Sequence, residues 1–168
     1  LAFAVSFDGP IAIRYPRGSA HQGLREYQVP VEYGRSEIIR KGKKIAVLGV
    51  GSMIPSCMEI CKGLKDDGYD PTFVNARFVK PLDVDLLDEL AKDHSLFVTV
   101  EENVKSGGYG EHVSAYMEAC HPEIRVLSAA VWDRFVPQGN VESLRSRIGL
   151  GVEDIRQAIE DSEELREQ

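Results

Sequence analysis

Residues 45–52 have the sequence Ile-Ala-Val-Leu-Gly-Val-Gly-Ser, an unbroken apolar run followed by a glycine turn. A strand with one solvent-exposed face would alternate apolar and polar residues. A run without alternation therefore predicts a strand that is buried on both faces. Ser52 is a favourable helix N-cap residue, and apolar residues then recur at helical spacing from Ile54 to Leu64. This stretch therefore predicts one strand and one helix of an α/β fold.

The same alternation of strands and helices continues along the chain. Further strand-like runs occur at 72–76, 96–100 and 125–128, with amphipathic helical segments between them. Such units predict a three-layer α/β sandwich, with a mostly parallel sheet of about five strands between two layers of helices. Two strand-like segments, 36–40 and 44–48, are separated by a Lys-Gly-Lys turn. They predict a hairpin that adds one antiparallel edge strand.

Charge and hydropathy exclude two classes of partner. The formal net charge is −7 and the sequence pI is about 5.1, so a nucleic-acid backbone would be repelled. The one tight basic cluster, Arg40 to Lys44, flanks a turn without interleaved aromatic residues, which is typical of a solvated turn. No apolar run approaches the roughly 18–20 residues that span a bilayer. We expect neither nucleic acid nor a membrane as a partner.

The cysteines and histidines do not indicate a catalytic or metal site. Cys57 and Cys61 are four residues apart and share one helix face, where they are expected to pack as small apolar groups; Cys120 is the third cysteine. No cluster has the spacing of metal ligands. None of the four histidines lies in a catalytic arrangement. Reduced thiols are typical of a cytoplasmic protein.

Two motifs leave alternatives open. Gly49-Val50-Gly51-Ser52 (49–52) begins like a dinucleotide-binding turn, but Ile54 occupies the position of its third glycine, which favours a plain strand-to-helix turn.

Glu101 and Glu102 end the third buried strand, where carboxylates can act as acid or base. Adjacent strand residues point to opposite faces, which favours a structural or interface role, with one glutamate at a neighbouring backbone or the next helix N-terminus.

Residues 9–18 predict a short strand that ends in a tight turn, with Arg14 and Arg17 at its end. A guanidinium can hold a phosphate through two parallel hydrogen bonds, which a lysine cannot do. From these residues alone, an anion site and surface salt bridges are equally good interpretations.

Five segments together resemble the 1-deoxy-D-xylulose-5-phosphate synthase family of the transketolase-like superfamily. Transketolase and the β subunits of 2-oxoacid dehydrogenases share the general plan, but the combination of Arg-Tyr-Pro-Arg-Gly with Phe-Val-Pro-Gln-Gly favours the synthase. The resemblance implies that 1–35 are the tail of a pyrimidine-binding domain and a linker, and that 36–168 form a transketolase-like C-terminal domain. The segments are Gly-Pro-Ile-Ala-Ile-Arg-Tyr-Pro-Arg-Gly (9–18), Ala-Arg-Phe-Val-Lys-Pro-Leu-Asp (76–83), Val-Thr-Val-Glu-Glu-Asn (98–103), Gly-Gly-Tyr-Gly (107–110) and Trp-Asp-Arg-Phe-Val-Pro-Gln-Gly (132–139).

The resemblance also implies a reaction for the full-length enzyme. A homodimeric, cytoplasmic transferase would condense pyruvate with D-glyceraldehyde 3-phosphate, using thiamine diphosphate and Mg²⁺, and its product would feed isoprenoid, thiamine and pyridoxal synthesis. The cofactor and metal sites of such an enzyme would precede this chain. We therefore expect neither group to bind to these residues, and no activity from the chain alone.

For individual residues, the resemblance implies that Arg17 holds the substrate phosphate, with Arg14 in support. Another transketolase-like enzyme and a non-catalytic interaction module of the same fold stay open as alternatives. The positions that the resemblance assigns to an interface or to domain packing are Glu101, Glu102, Gly107, Gly108, Phe135 and Gly139.

Overall fold

The computed structural model describes residues 1–15, 21, 23–24 and 29–162. Within these ranges, five strands form one sheet with the order β1-β3-β2-β4-β5. Every neighbouring pair is parallel except β1 and β3, which are antiparallel. The strands are β1 (Glu37–Arg40), β2 (Lys44–Gly49), β3 (Thr72–Asn75), β4 (His94–Val104) and β5 (Arg125–Val131).

Helices connect the parallel strands. A short 3-10 turn, Gly51–Met53, follows β2 and leads directly into the first long helix, which ends where Gly68 adopts a φ of 93°. That left-handed conformation suits glycine, which has no Cβ. The helices are α1 (Ala2–Ser6), α2 (Ile54–Asp66), α3 (Val84–Ala91), α4 (Tyr109–Cys120), α5 (Val141–Arg147) and α6 (Val152–Glu160). None of those in the described ranges is long and apolar enough to cross a membrane.

The sheet is covered on both faces, which confirms the three-layer prediction. Along β2, Ile45 and Val47 belong to one apolar cluster, and Ala46 and Leu48 belong to another. The first cluster includes buried residues of α2 and α6, and the second includes buried residues of α3 and α4. An unbroken apolar run is required because successive side chains enter opposite layers.

The predicted hairpin between β1 and β2 is wrong. β1 is the antiparallel edge strand, but it pairs with β3, which lies between it and β2. The connecting turn packs against the start of β3: the Gly42 amide donates to Thr72 Oγ1 at 2.8 Å, and the Lys43 amide donates to the Asp70 carbonyl at 2.6 Å. The loop between β1 and β2 therefore packs against the start of β3 instead of forming a hairpin turn.

Two smaller predictions also fail. Ser52 does not cap α2; it lies within the 3-10 turn, and its hydroxyl donates to a glutamate 50 residues away. Residues 9–15 form no strand, because no other described segment provides a ladder of backbone hydrogen bonds to them. A strand needs such a neighbour to satisfy its amides and carbonyls.

The segment before β1 is nevertheless attached to the domain. The rings of Phe7 and Tyr33 stack at 5.1 Å between centroids, and Phe78 makes edge contacts with Tyr33 and with Phe3, each at 5.9 Å. Phe78 follows β3, so these contacts join the start of the chain to the sheet.

Candidate functional site

The candidate site lies at the carboxyl edge of the sheet, where β2, β3, β4 and β5 all end. Because these strands are parallel, the turn after β2, residues 101–104 of β4 and the loop after β5 meet at this edge. Open α/β sheets bind their ligands and partners at such an edge. The structure brings both predicted glutamates there and gives them different surroundings.

Glu101 is buried, with 2% of its surface exposed, and it caps α4. Its two carboxylate oxygens accept hydrogen bonds from the amides of Tyr109 at 3.0 Å and Gly110 at 2.8 Å. A carboxylate at a helix N-terminus is favoured by the unpaired amides and by the helix dipole. One of the two glutamates was expected at the next helix N-terminus, and this geometry confirms it for Glu101.

The glycine turn allows the carboxylate to approach the helix. Gly107 has a φ of 71°, which side-chain-bearing residues rarely adopt. A Cβ on Gly108 would lie 2.6 Å from Glu101 Oε1. A Cβ on Gly110 would lie 2.5 Å from Thr99 Oγ1 and would clash with Ser128 Oγ. Gly108 and Gly110 therefore serve close packing within the domain, and Gly107 serves the conformation of the turn.

Glu102 points to the other side of the strand, and its side chain is 35% exposed. It accepts a hydrogen bond from Ser52 Oγ at 2.7 Å and from Arg145 Nε at 3.1 Å. Partial burial alone would raise its pKa. The hydrogen bonds from Arg145 and Ser52, together with the charges of Arg145 and Arg14, outweigh burial and lower the pKa of Glu102 below its ordinary value. Glu102 is thus an ionised group that joins three segments of the chain.

The predicted phosphate-binding arginines are only partly described. Arg14 is exposed, and its charge contributes to the lowered pKa of Glu102. Arg17 lies outside the described residues. Arg14 is therefore the one of the pair that the structure associates with the carboxyl edge.

The loop after β5 carries large apolar side chains on its surface. Phe135 is fully exposed, and Trp132 and Val136 are exposed too. Lys105 Nζ lies 4.9 Å from the Trp132 ring centroid, a cation–π contact. Gly139 packs on α5, since a Cβ there would meet the Leu144 side chain at 3.3 Å.

A buried ion pair that the sequence analysis missed fastens the segment before β1. Arg77 Nη2 lies 2.6 Å from Glu37 Oε2, and both side chains are largely buried. The same guanidinium donates to the carbonyls of Val29 at 3.0 Å and Pro30 at 3.3 Å, while Glu37 Oε1 accepts from the Val29 amide. The partners are about 40 residues apart, so no spacing rule predicts them.

His94, in contrast, is a fully bonded interior residue. Its Nδ1 donates to the Leu90 carbonyl at 2.8 Å, and its Nε2 accepts from Thr72 Oγ1 at 2.7 Å. Burial lowers its pKa, because the charged form would lose its hydration. Within the described ranges, no group of three or more His, Cys, Asp or Glu side chains could hold a metal ion.

Comparison with known proteins identifies the family of this domain. The family described as "Transketolase, C-terminal domain" matches residues 34–155. The chain belongs to the transketolase C-terminal domain family. The match begins three residues before β1 and ends within α6, so it contains the whole sheet and the carboxyl edge.

Curated relatives of this transketolase C-terminal domain carry the name 1-deoxy-D-xylulose-5-phosphate synthase. The protein of Lachnoclostridium phytofermentans is 41% identical over 156 residues, which cover 92% of this chain and 25% of the relative. That of Nitrosomonas europaea is 41% identical over 160 residues, which cover 94% and 25%. The chain therefore spans about a quarter of the length of the relatives it matches.

Solved structures agree on the fold. A split-gene transketolase, described as an inactive β4 tetramer, superposes with a TM-score of 0.74 at 29% identity, covering 82% of this chain and 45% of that one. Transketolase from Campylobacter jejuni gives a TM-score of 0.54 at 16% identity, covering 77% and 19%, and supports the transketolase-like fold alone.

Proposed function

We propose that the chain is the C-terminal domain, with a remnant of the preceding domain, of a 1-deoxy-D-xylulose-5-phosphate synthase. The full-length enzyme would be a transferase that condenses pyruvate with D-glyceraldehyde 3-phosphate to 1-deoxy-D-xylulose 5-phosphate and CO2. The observation that carries this proposal is the identity of about 40% to synthases, which extends over more than nine tenths of the chain.

The division of the chain is part of the proposal. Residues 36–168 would form the C-terminal domain, and 1–35 would be the tail of the pyrimidine-binding domain with its linker. The family match from residue 34 and the start of β1 at Glu37 support this boundary. The Arg77–Glu37 pair would then hold the linker against the domain, so that the two domains keep a fixed relative orientation.

Within the full enzyme, this domain would support catalysis without providing its chemistry. Thiamine diphosphate, when bound with Mg²⁺, supplies the carbanion chemistry of two-carbon transfer. We assign both groups to parts of the enzyme other than this chain. The described residues that converge at the carboxyl edge, Glu102, Ser52 and Arg145, are bonded to one another and form a structural link.

The surface at the carboxyl edge would pack against the other domains and a second copy in a homodimer. Large exposed apolar side chains support this, since isolated soluble domains rarely expose many together. A homologous split-gene chain is described as a tetramer. The exposed apolar residues at this edge include Val104, Trp132, Phe135, Val136 and Val141.

The three free cysteines support a cytoplasmic location, where thiols stay reduced.

The reaction is tested on the full-length protein that contains this chain. We expect 1-deoxy-D-xylulose 5-phosphate and CO2 from pyruvate and D-glyceraldehyde 3-phosphate when thiamine diphosphate and Mg²⁺ are supplied. The 168-residue chain under identical conditions serves as the control and should form no product. Ketose transfer without CO2 release would instead indicate transketolase. Absence of every such activity in the folded full-length protein would leave the interaction-module alternative.

The substrate phosphate is the proposed ligand of Arg17, with Arg14 in support. In the full-length enzyme, Arg17→Ala should raise the KM for D-glyceraldehyde 3-phosphate and leave the KM for pyruvate nearly unchanged, because only the former carries a phosphate. Arg14→Ala is the matched control and should have a smaller effect. An equal loss for both substrates would count against a phosphate role for Arg17.

A further inference from the structure

A cavity unconnected with the carboxyl edge lies between α2 and the outer strands β1 and β3. Its volume is about 260 Å³. Its lining residues come from all three elements: Ile39, Arg40, Met58, Cys61, Lys62, Lys65 and Phe73. We propose that this cavity binds a small organic anion with a compact apolar body. The proposal does not depend on the synthase reaction.

The floor of the cavity is apolar. Phe73 and Cys61 are buried core residues, and Ile39 and Met58 pack against the same cluster. Burial raises the pKa of the Cys61 thiol to about 12, so the sulfur stays neutral and behaves as a small apolar surface. The floor therefore favours an aromatic or branched aliphatic group, held without a covalent bond.

The rim of the cavity is cationic. Among the described residues, the charged ones that line it are Arg40, Lys62 and Lys65, and none of these lining residues is a carboxylate. Arg40 is fixed in place, since Nη2 donates to the Pro71 carbonyl at 2.7 Å, and Asp70, outside the lining, lies 3.6 Å from Nη1. The two lysines are exposed, three residues apart on one helix, and form no ion pair with any described residue. In a chain of net charge −7, this is a local concentration of positive charge beside apolar surface.

Size and charge together define the ligand class. Small-molecule pockets begin at about 300 Å³, so a volume slightly below this value suits a compact body such as one ring. The cations would pair with a carboxylate or phosphate at the entrance. Hydrogen bonds between ionised groups are stronger than those between neutral groups. An inorganic anion would leave the floor uncovered, and a neutral ring would leave the lysines unpaired. Binding should need both parts of the ligand.

Methyl NMR of methionine tests the proposal directly. The chain contains three methionines, of which Met58 lines the cavity, whereas Met53 and Met117 are completely buried elsewhere. On addition of phenyl phosphate to chain labelled with ¹³C at the methionine methyls, we expect a saturable shift of the Met58 resonance. The Met53 and Met117 resonances should stay in place and act as internal controls.

The probe series separates charge from apolar contact. Inorganic phosphate and benzyl alcohol each carry one half of phenyl phosphate and should bind at least about tenfold more weakly. An equal Met58 shift with either of them, or no saturable shift with phenyl phosphate, would overturn the proposal. Phenylacetate tests whether a carboxylate replaces the phosphate and should also bind.

Charge reversal provides the second arm of the experiment. Lys62→Glu/Lys65→Glu changes two exposed helix positions and should weaken phenyl phosphate binding by about tenfold or more. Lys41→Glu/Lys80→Glu alters the net charge equally at exposed positions that do not line the cavity and should leave the affinity unchanged. Equal losses in both variants would show that only overall charge matters and would overturn the proposal. A full-length protein in which Met58 no longer responds would show that another part of the protein covers the cavity, and the proposal would fail.

Discussion

The adjacent glutamates of β4 should differ sharply in their contribution to stability. Glu101→Ala removes a buried carboxylate that accepts two backbone hydrogen bonds at the N-terminus of α4. Glu102→Ala removes a partly exposed carboxylate whose partners, Ser52 and Arg145, can turn to water. The two substitutions delete the same atoms from neighbouring positions, so the second is a matched control for the first.

The magnitude follows from the number and burial of the lost bonds. Hydrogen bonds to a charged group contribute about 1.5–3 kcal/mol each, so loss of both bonds to Glu101 should lower the free energy of unfolding by at least about 3 kcal/mol. The ion pair and hydrogen bond of Glu102 are screened by water, and pairs of this kind contribute about 0.2–1 kcal/mol. Glu101→Ala should therefore cost roughly three times as much as Glu102→Ala or more.

Urea unfolding of the 168-residue chain, followed by circular dichroism, measures both values. With a slope of about 2 kcal/mol per molar urea, a loss of about 3 kcal/mol moves the midpoint down by roughly 1.5 M. The midpoint for Glu102→Ala should move by less than about 0.5 M. Equal shifts for the two variants would refute the assignment of Glu101 as the cap of α4 and of Glu102 as a surface link.

Three further perturbations test other parts of the structure. Burial lowers the pKa of His94, so the folded chain binds fewer protons at this residue than the unfolded chain does. The stability that neutral His94 contributes should be fully present above about pH 6.5 and should be lost as the pH falls through the folded-state pKa. His94→Gln should remove that part of the pH dependence measured by urea unfolding at pH 7.5 and 5, and an unchanged slope would contradict it. Gly110→Ala should cost about 1–3 kcal/mol in the same assay, since its Cβ would overlap two hydroxyl oxygens; a neutral result would mean that α4 can shift outward. Arg77→Ala should release the segment before Glu37 and accelerate limited proteolysis between residues 21 and 33, whereas cleavage at the wild-type rate would show that the aromatic contacts alone hold it.

The layers of this fold could be predicted from the sequence, but the neighbours of each strand could not. The run at 45–48 requires burial on both faces, and a sheet between helices follows from it. A run of residues contains no information about which strand lies beside it. The hairpin prediction failed for this reason, because nothing local shows that β3 enters between β1 and β2.

The candidate site could be predicted only where contacts are short-range or follow from strand geometry. Alternation along a strand was enough to separate Glu101 from Glu102, and the nearby glycine turn was enough to place a helix N-terminus beside one of them. The partners of Glu102 are 50 and 43 residues away, and those of Arg77 are 40 to 48 residues away. Such pairs depend on the complete topology, so no motif reveals them.

The two glutamates at the carboxyl edge of the sheet have partners within the domain that give each of them a structural role. Glu101 is held by two backbone amides, and Glu102 accepts hydrogen bonds from an arginine and a serine that lower its pKa. Glu102 instead connects the turn after β2 to α5, close to the charge of Arg14 in the segment before the domain. The carboxylate of Glu102 therefore attracts the guanidinium of Arg14 towards the carboxyl edge. If Arg14 and Arg17 contact substrate in the full enzyme, Glu102 would influence catalysis through the placement of Arg14, and its substitution should alter the KM for the phosphorylated substrate with little loss of folding stability.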